Sequence, residues 1–367
     1  MEYFVRDLAR EQAEAGHEVL VLAHAGQQAA GVVTLMPGLT VRRYRVLANA
    51  GRGYAPLAPG LLLAAGLFLD GFKPDLIHLH CPNPVGVTLR TSSTVPLVLH
   101  WHSDVIFPEN RAPASWQLKL WRLFERGLLE RAALVITTSP HYADTSQTLR
   151  DYLGKVRVVP LGLPPKITAP PGASTAGSAA AWLASQPEGS RLLTVGRLSH
   201  YKGLSILLDA LLRLPQATLC LIGQGEEKGL LEAQRDRLGL GARVFFAGQV
   251  DDAERERCLA LADVFCLPSL DRTEAFGLVL LEAMRAGKAC LATTVPGSGM
   301  SYALEEGRAG VLVEPGQAGL LAATISQLLA DQELRSRLAA VGQERFFSHF
   351  TMPVVAAGVE KVYQEVL

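Results

Sequence analysis

Val264-Phe265-Cys266-Leu267-Pro268-Ser269-Leu270-Asp271-Arg272-Thr273-Glu274-Ala275-Phe276-Gly277-Leu278-Val279-Leu280-Leu281-Glu282-Ala283-Met284 runs from an apolar segment through a polar loop into residues with helical spacing. The strand is expected to end near Leu267, the loop to carry Glu274, and the helix to start near Gly277. The first N–H groups of a helix have no intrahelical acceptor and can face an anion, and a glycine there permits close approach. Glu282, eight residues after Glu274, lies more than a turn inside the helix. Its carboxylate can accept hydrogen bonds from paired hydroxyls of the kind a ribose offers. Two glutamates around a helix start are equally compatible with one favouring the dipole and one solvated.

The same strand–loop–helix grammar recurs on both sides of this stretch, which predicts parallel sheets covered by helices. In the second half, strands are expected at 191–196, 217–223, 244–247, 264–268, 289–293 and 311–313, with helices at 203–212, 226–238, 277–286 and 320–330. Val195-Gly196-Arg197-Leu198-Ser199-His200-Tyr201-Lys202-Gly203-Leu204 follows a strand, so Arg197 and Lys202 occupy a loop of the kind that borders the ligand crevice in open parallel sheets. A guanidinium fork and a lysine point charge suit a diphosphate; a merely solvated basic loop is the competing reading. Gly223-Gln224-Gly225-Glu226-Glu227-Lys228-Gly229 is a further glycine-rich turn, one residue too long for the dinucleotide fingerprint.

The first half predicts strands at 18–23, 76–80, 96–101, 133–139 and 156–161. A Pro, Gly, Ser and Ala run follows, so the expected organisation is a first domain over 1–163, a linker over 164–188, a second domain over 189–345 and a terminal segment over 346–367. Each domain is expected to be doubly wound. Residues 2–15 read as a helix, so the chain opens on a helix where such domains ordinarily open on a central strand and its ligand-binding loop. The expectation is a first domain lacking that strand and its glycine-rich loop.

Gly196-Arg197-Leu198 with Lys202-Gly203, then Gly223-x-Gly225, then Glu274-x7-Glu282 around Phe276-Gly277, resemble family 4 of the retaining glycosyltransferases in order and spacing. The resemblance spans residues 190–315 and implies an α/β GT-B fold, two Rossmann-like domains with a cleft between them. It implies that Arg197 and Lys202 hold the diphosphate of a nucleotide-sugar donor and that Glu274 contacts the sugar hydroxyls. The backbone near Phe276, Gly277 and Leu278 would contact sugar and phosphate, Gly196, Gly223 and Gly225 would border the donor, and Glu282 would bind the ribose. His102-Ser103-Asp104 resembles the family's cleft histidine segment, which assigns His102 to the reacting sugar with Asp104 as an orienting group. His100 is expected on the opposite face of the strand as an exclusive competitor. The terminal helix is expected to return to the first domain. No D-x-D sequence occurs, so neither metal nor other cofactor is expected, and protein cations would take the metal's place on the diphosphate.

Lys plus Arg and Asp plus Glu balance at 35 each, leaving no field that would attract nucleic acid. Five cysteines without a C-x-x-C pair read as buried thiols of a reducing compartment. No secretory signal is read at Met1, and the apolar run 57–69 is too short to span a bilayer and reads as a core helix, so a cytoplasmic protein is expected. The acceptor is expected to be a saccharide or a lipid-linked saccharide. Residues 116–126 and Arg42-Arg43-Tyr44-Arg45 offer cations for a weak peripheral contact with an anionic membrane. The alternatives are a binding protein without transfer activity, a GT-B epimerase, or a dinucleotide enzyme using 223–229.

Overall fold

The computed structural model describes residues 2–26, 29–50, 55–67, 69–83, 86, 89, 95–105, 115–166 and 178–367. The chain divides into two units. The first comprises Met1–Thr138, Ser146–Val159 and Met352–Leu367; the second comprises Ser139–Thr145 and Pro160–Thr351.

The first unit contains helix α1 (Glu2–Glu14) and strands β1 (Val19–His24), β2 (Gly31–Met36), β3 (Leu39–Tyr44), β4 (Ala48–Ala50) and β5 (Ala55–Leu57). Helices α2 (Pro59–Leu67) and α3 (Leu69–Phe72) precede β6 (Ile77–Cys81) and β7 (Leu97–Trp101), and α4 (Ser115–Arg131) precedes β8 (Leu134–Thr137) and β9 (Val156–Val158). Strands β6-β7-β8-β9 form a parallel sheet in that order, and β1-β3-β2 form a second sheet in which only β2 is antiparallel. Sequence periodicity misses β2 because this edge strand is exposed along almost its whole length and shows no alternation of burial. Helix α5 (Pro140–Thr145) lies between β8 and β9 in the chain but belongs to the second unit.

The second unit continues with α6 (Ala179–Ala184), β10 (Arg191–Val195), α7 (Leu204–Leu211), β11 (Thr218–Ile222), α8 (Lys228–Arg237), β12 (Val244–Gly248), α9 (Asp252–Leu261) and β13 (Val264–Leu267). After these come α10 (Leu278–Arg285), β14 (Ala289–Thr293), α11 (Met300–Ala303), β15 (Val311–Val313), α12 (Ala318–Ala330) and α13 (Gln332–Arg345). Its sheet is wholly parallel, in the order β12-β11-β10-β13-β14-β15. Strand alternation splits the core between the two faces: Leu193, Cys220, Phe265 and Cys290 pack on one side, and Leu192, Leu219, Val264, Cys266 and Leu291 on the other. All five cysteines are free and buried, as their apolar surroundings predict.

Residues 178–188, read from composition as part of a linker, include α6. Ser178 caps this helix by accepting from the Ala181 N–H, and the Glu254 carboxylate accepts from the Ala180 N–H at 2.8 Å. A buried acceptor supplied by a distant helix orders what composition marks as loop. Residues 167–177 of the same stretch lie outside the described residues. Helix α14 (Met352–Gln364) completes the first unit, where Gln12 donates to the Tyr363 hydroxyl at 2.8 Å and His17 lies 3.1 Å from Glu360.

Candidate active site

In the second unit the strand order reverses direction at β10 and β13, neighbours from which the chain winds outward both ways. Loops leaving the carboxyl ends of such a pair diverge and open a crevice. The loops after β10 and β13 are the ones that carry Arg197, Lys202 and Glu274.

Lys202 ends a 3₁₀ turn, His200–Lys202, and is buried. Its Nζ donates to Oε2 of Glu274, which is also buried and accepts from Ser269 Oγ at 3.2 Å. Burial disfavours the ammonium, but the Glu274 charge and hydrogen bond more than offset it, so the lysine pKa moves upward. The lysine therefore stays cationic at all physiological pH, and with three donors on the ammonium it has capacity beyond Glu274. Ser298 Oγ donates to the Glu274 carbonyl and Gly299 N–H to the Ala275 carbonyl at 2.7 Å, which fixes the loop from below. Ser269 and Ser298 carry no signal in the sequence; they matter because they reach this loop in space.

The glycines let the loops approach one another closely. Gly223 stands at φ +137°, and a Cβ there would sit 1.9 Å from the Gly196 carbonyl oxygen; one on Gly225 would sit 2.2 Å from the Leu198 oxygen. Both allow the loop after β11 to zip onto the loop after β10, through Leu198 N–H to Gln224 O at 3.0 Å and Glu227 N–H to Leu198 O at 3.0 Å. Gly203, at φ +65°, abuts Pro268 so closely that a Cβ would stand 2.0 Å from its oxygen. Gly196 lies beneath the lysine, where a Cβ would be 3.2 Å from Lys202 Nζ. The glycine pattern therefore locks three loops together and sets where the cations point.

Arg197 is half exposed and donates to Glu226 Oε2 at 3.0 Å. Gly277, at φ +81°, caps α10, and Leu278 is its first helical residue. The Phe276 side chain is buried in the core and packs edge-on against Phe350, so only its backbone is available to a ligand. Glu282 is half-buried, with Arg255 Nε 2.9 Å from its Oε2 in an orientation unsuited to a hydrogen bond. Burial pushes the Glu282 pKa upward and Arg255 opposes this. Arg255 was not foreseen, since it sits on α9, which has no motif. Each acidic or basic group read from the second-half motifs thus already has a counter-charge: Lys202 with Glu274, Arg197 with Glu226, and Glu282 with Arg255.

In the first unit His102 is buried, and its Nε2 lies 2.9 Å from His80 Nδ1. His100 is not on the opposite face: the His100 and His102 rings stack with centroids 4.4 Å apart and planes inclined by 4°. Residues two apart on a strand share a face, so the two imidazoles coexist. His80 supplies the hydrogen bond to His102, while Asp104 Oδ1 accepts from Trp101 Nε1 at 2.9 Å and from Ser146 Oγ at 2.8 Å. Burial foremost, then neighbouring imidazoles, hold His80, His100 and His102 well below the ordinary histidine range, and burial alone lowers His78 to about 3.

Glu125 of α4 is buried, and burial together with the Asp104 charge pushes its carboxyl up to about 7. An unfolded glutamate ionises near ~4.3, so between there and about 7 the unfolded chain releases a proton that the folded chain keeps. Stability therefore falls as pH rises through this window and is unaffected below it. Glu125→Gln is expected to raise the stability of the first unit by roughly 2–3 kcal/mol at pH 8 and by little at pH 4. Thermal unfolding of both proteins at the two pH values checks this; an equal gain at both would contradict a proton held by burial.

With this geometry in place, two family models match the chain: the glycosyl transferase 4-like domain over residues 1–162 and glycosyl transferases group 1 over residues 183–345. The chain is 32% identical over 304 residues to D-rhamnosyltransferase WbpZ of Pseudomonas aeruginosa, covering 79% of this chain and 75% of that protein. It is 29% identical over 389 residues to a phosphatidyl-myo-inositol mannosyltransferase of Mycobacterium tuberculosis, covering 99% and 92%. Among solved structures, sucrose-phosphate synthase from Thermosynechococcus elongatus matches with a TM-score of 0.79 and 26% identity, over 99% of this chain and 92% of that one. Anabaena Alr3699/HepE in complex with UDP matches with a TM-score of 0.65 and 25% identity, over 89% and 86%.

Proposed function

The chain belongs to the group 1 glycosyl transferases and has the GT-B fold, and from that premise we propose that it is a retaining hexosyltransferase of cell-surface glycan synthesis. The donor is a nucleotide-diphosphate sugar, and the acceptor is a hydroxyl of a saccharide or lipid-linked saccharide. The observation that carries this reading is the meeting of Lys202 and Glu274 from the two loops at the sheet's switch point. Lys202 and Arg197 face the departing diphosphate, aided by the first amides of α10, and no metal is called on for that charge. Glu274 takes the sugar hydroxyls and Glu282 the ribose, the latter exchanging its contact with Arg255 for the diol. His102 acts at the sugar. A UDP complex of the Anabaena relative and the rhamnosyl- and mannosyltransferase names of other relatives support a nucleotide-sugar donor and a glycan product.

A panel of UDP-, GDP-, ADP- and dTDP-sugars, read by thermal shift, tests the donor side, because a ligand that binds the folded form raises its melting temperature. One donor class is expected to stabilise the protein and to release its nucleoside diphosphate when a saccharide extract is added. Stabilisation without release would favour the binding-protein alternative; neither would refute the proposal.

We place the reaction in the cytoplasm, with peripheral contact at the inner face of the membrane. Among the described residues no helix is long and apolar enough to cross a membrane. Helix α4 instead exposes Trp116, Leu120 and Leu123, at 63%, 60% and 66%, with Lys119, Arg122 and Arg126 also exposed. An apolar stripe bordered by cations fits an anionic lipid surface. Replacing all three apolar residues by serine is expected to abolish sedimentation with anionic vesicles at low salt. A parent protein that stays wholly in the supernatant would reject the contact.

A further inference from the structure

Strands β6 and β7 are parallel neighbours in which His80 is paired directly with His100. Side chains two apart share a face, so His78 and His80 from one strand and His100 and His102 from the next project together. The rings form a contiguous array: His78 to His80 at 4.4 Å, His80 to His100 at 5.1 Å, and His78 to His100 at 5.4 Å. Phe4 meets His80, His100 and His102 edge-on and covers the group with hydrocarbon.

The array is not satisfied by hydrogen bonds. Both ring nitrogens of His100 and Nε2 of His78 are buried and have no hydrogen-bond partner among the described residues. An unpaired buried polar atom is costly, and several in one place point to a ligand that takes their lone pairs. One ring nitrogen from each of His78, His80 and His100 lies within 4.8 Å of the others, which gathers three imidazole donors around one point.

We infer that His78, His80 and His100 bind a borderline divalent metal ion of the zinc type, with His102 and Tyr363 in support. Three imidazoles with an open fourth position are an established zinc geometry, and the lack of carboxylate among the three disfavours calcium and magnesium. The supporting contacts are those a metal-bound histidine needs: its second nitrogen must donate to a fixed acceptor. His78 Nδ1 lies 2.6 Å from the Tyr363 hydroxyl, which leaves Nε2 for the ion, and His80 Nδ1 lies 2.9 Å from His102, which leaves its other nitrogen. The site belongs to the first unit, whereas Arg197 and Lys202 belong to the second. Through Tyr363 it ties the sheet to α14, and through His80 it sets the ring of His102.

The full-length protein, stripped with a chelator and then dialysed against limiting zinc, is expected to retain one equivalent and to gain thermal stability. X-ray absorption of the zinc-loaded parent is expected to show a first shell of nitrogen and oxygen with imidazole scattering. His78→Gln and His100→Gln are each expected to weaken retention by roughly 100-fold while the exposed control His200→Gln does not. A sulfur shell, less than stoichiometric retention, or retention indifferent to both substitutions would overturn the assignment. The spectrum of the parent keeps the proposal testable if the buried variants fail to fold.

Discussion

Lys202→Ala is expected to lower turnover by about 100-fold or more, equivalent to roughly 3 kcal/mol of lost transition-state stabilisation. The lysine is the cation most firmly aimed at the switch-point crevice, since it is buried and hydrogen-bonded rather than waving in solvent. The substitution also carries a structural cost. Removing one member of a buried pair leaves the other uncompensated, at ~3–5 kcal/mol, and Glu274 would retain only Ser269 among its side-chain partners found here. Lys202→Ala/Glu274→Gln separates the two effects: it is expected to regain most of the stability and none of the turnover. Near-native turnover in Lys202→Ala, with the protein folded by circular dichroism, would remove Lys202 from the diphosphate site.

Gly223→Ala is expected to be the most damaging single-methyl change in the second unit, costing roughly 3 kcal/mol or more in stability and abolishing donor binding. Two terms add: a backbone at φ +137° that L-residues rarely adopt, and a Cβ placed 1.9 Å from the Gly196 oxygen. The opposing atom is backbone, so no side-chain rotation relieves the overlap. The loop after β10 must move, carrying Arg197 and Lys202 with it. Gly229 offers the control, because it lies in α8 with nothing within 4 Å of its Cβ position. Gly229→Ala is expected to be neutral or to stabilise by up to ~1 kcal/mol. Comparable melting temperatures for the two variants would show that the loops are not locked as described.

Much of the second unit is legible from local pattern. Its six strands were read within a residue or two of their observed ends, because each is an apolar run of strand length bounded by glycine, proline or charge. Helices α9 and α13 show no apolar stripe in the sequence because each buries few apolar side chains: Cys258 and Leu259 in α9, Leu338 in α13. In the first unit, β2 escapes because this edge strand is exposed and does not alternate. The motif residues lie on the loops and helix where the spacing places them, while the packing contacts of the glycines show only in the structure. Gly223 and Gly225 read as a tight turn, and the structure shows them as points of close contact between backbones. Sequence spacing shows that a residue has no side chain; only the neighbouring loop shows what that absence makes room for.

The residues around Val264–Met284 illustrate the same division. By itself the sequence determined the order of strands and helices, the loop positions of Arg197, Lys202 and Glu274, the helical position of Glu282, and the resemblance that led to the family. These follow from chemical character repeated at short range. The tertiary structure decided which of them meet: Lys202 with Glu274 across 72 positions, Glu282 with Arg255, His102 with His80 across 22, and Tyr363 with His78 across 285. Those pairs depend on which strands become neighbours, and strand order is chosen by burial of the whole core rather than by any local period. The four-histidine face is the clearest case. No segment by itself marks a metal ligand, and the histidines become a candidate metal centre because β6 and β7 lie side by side in register.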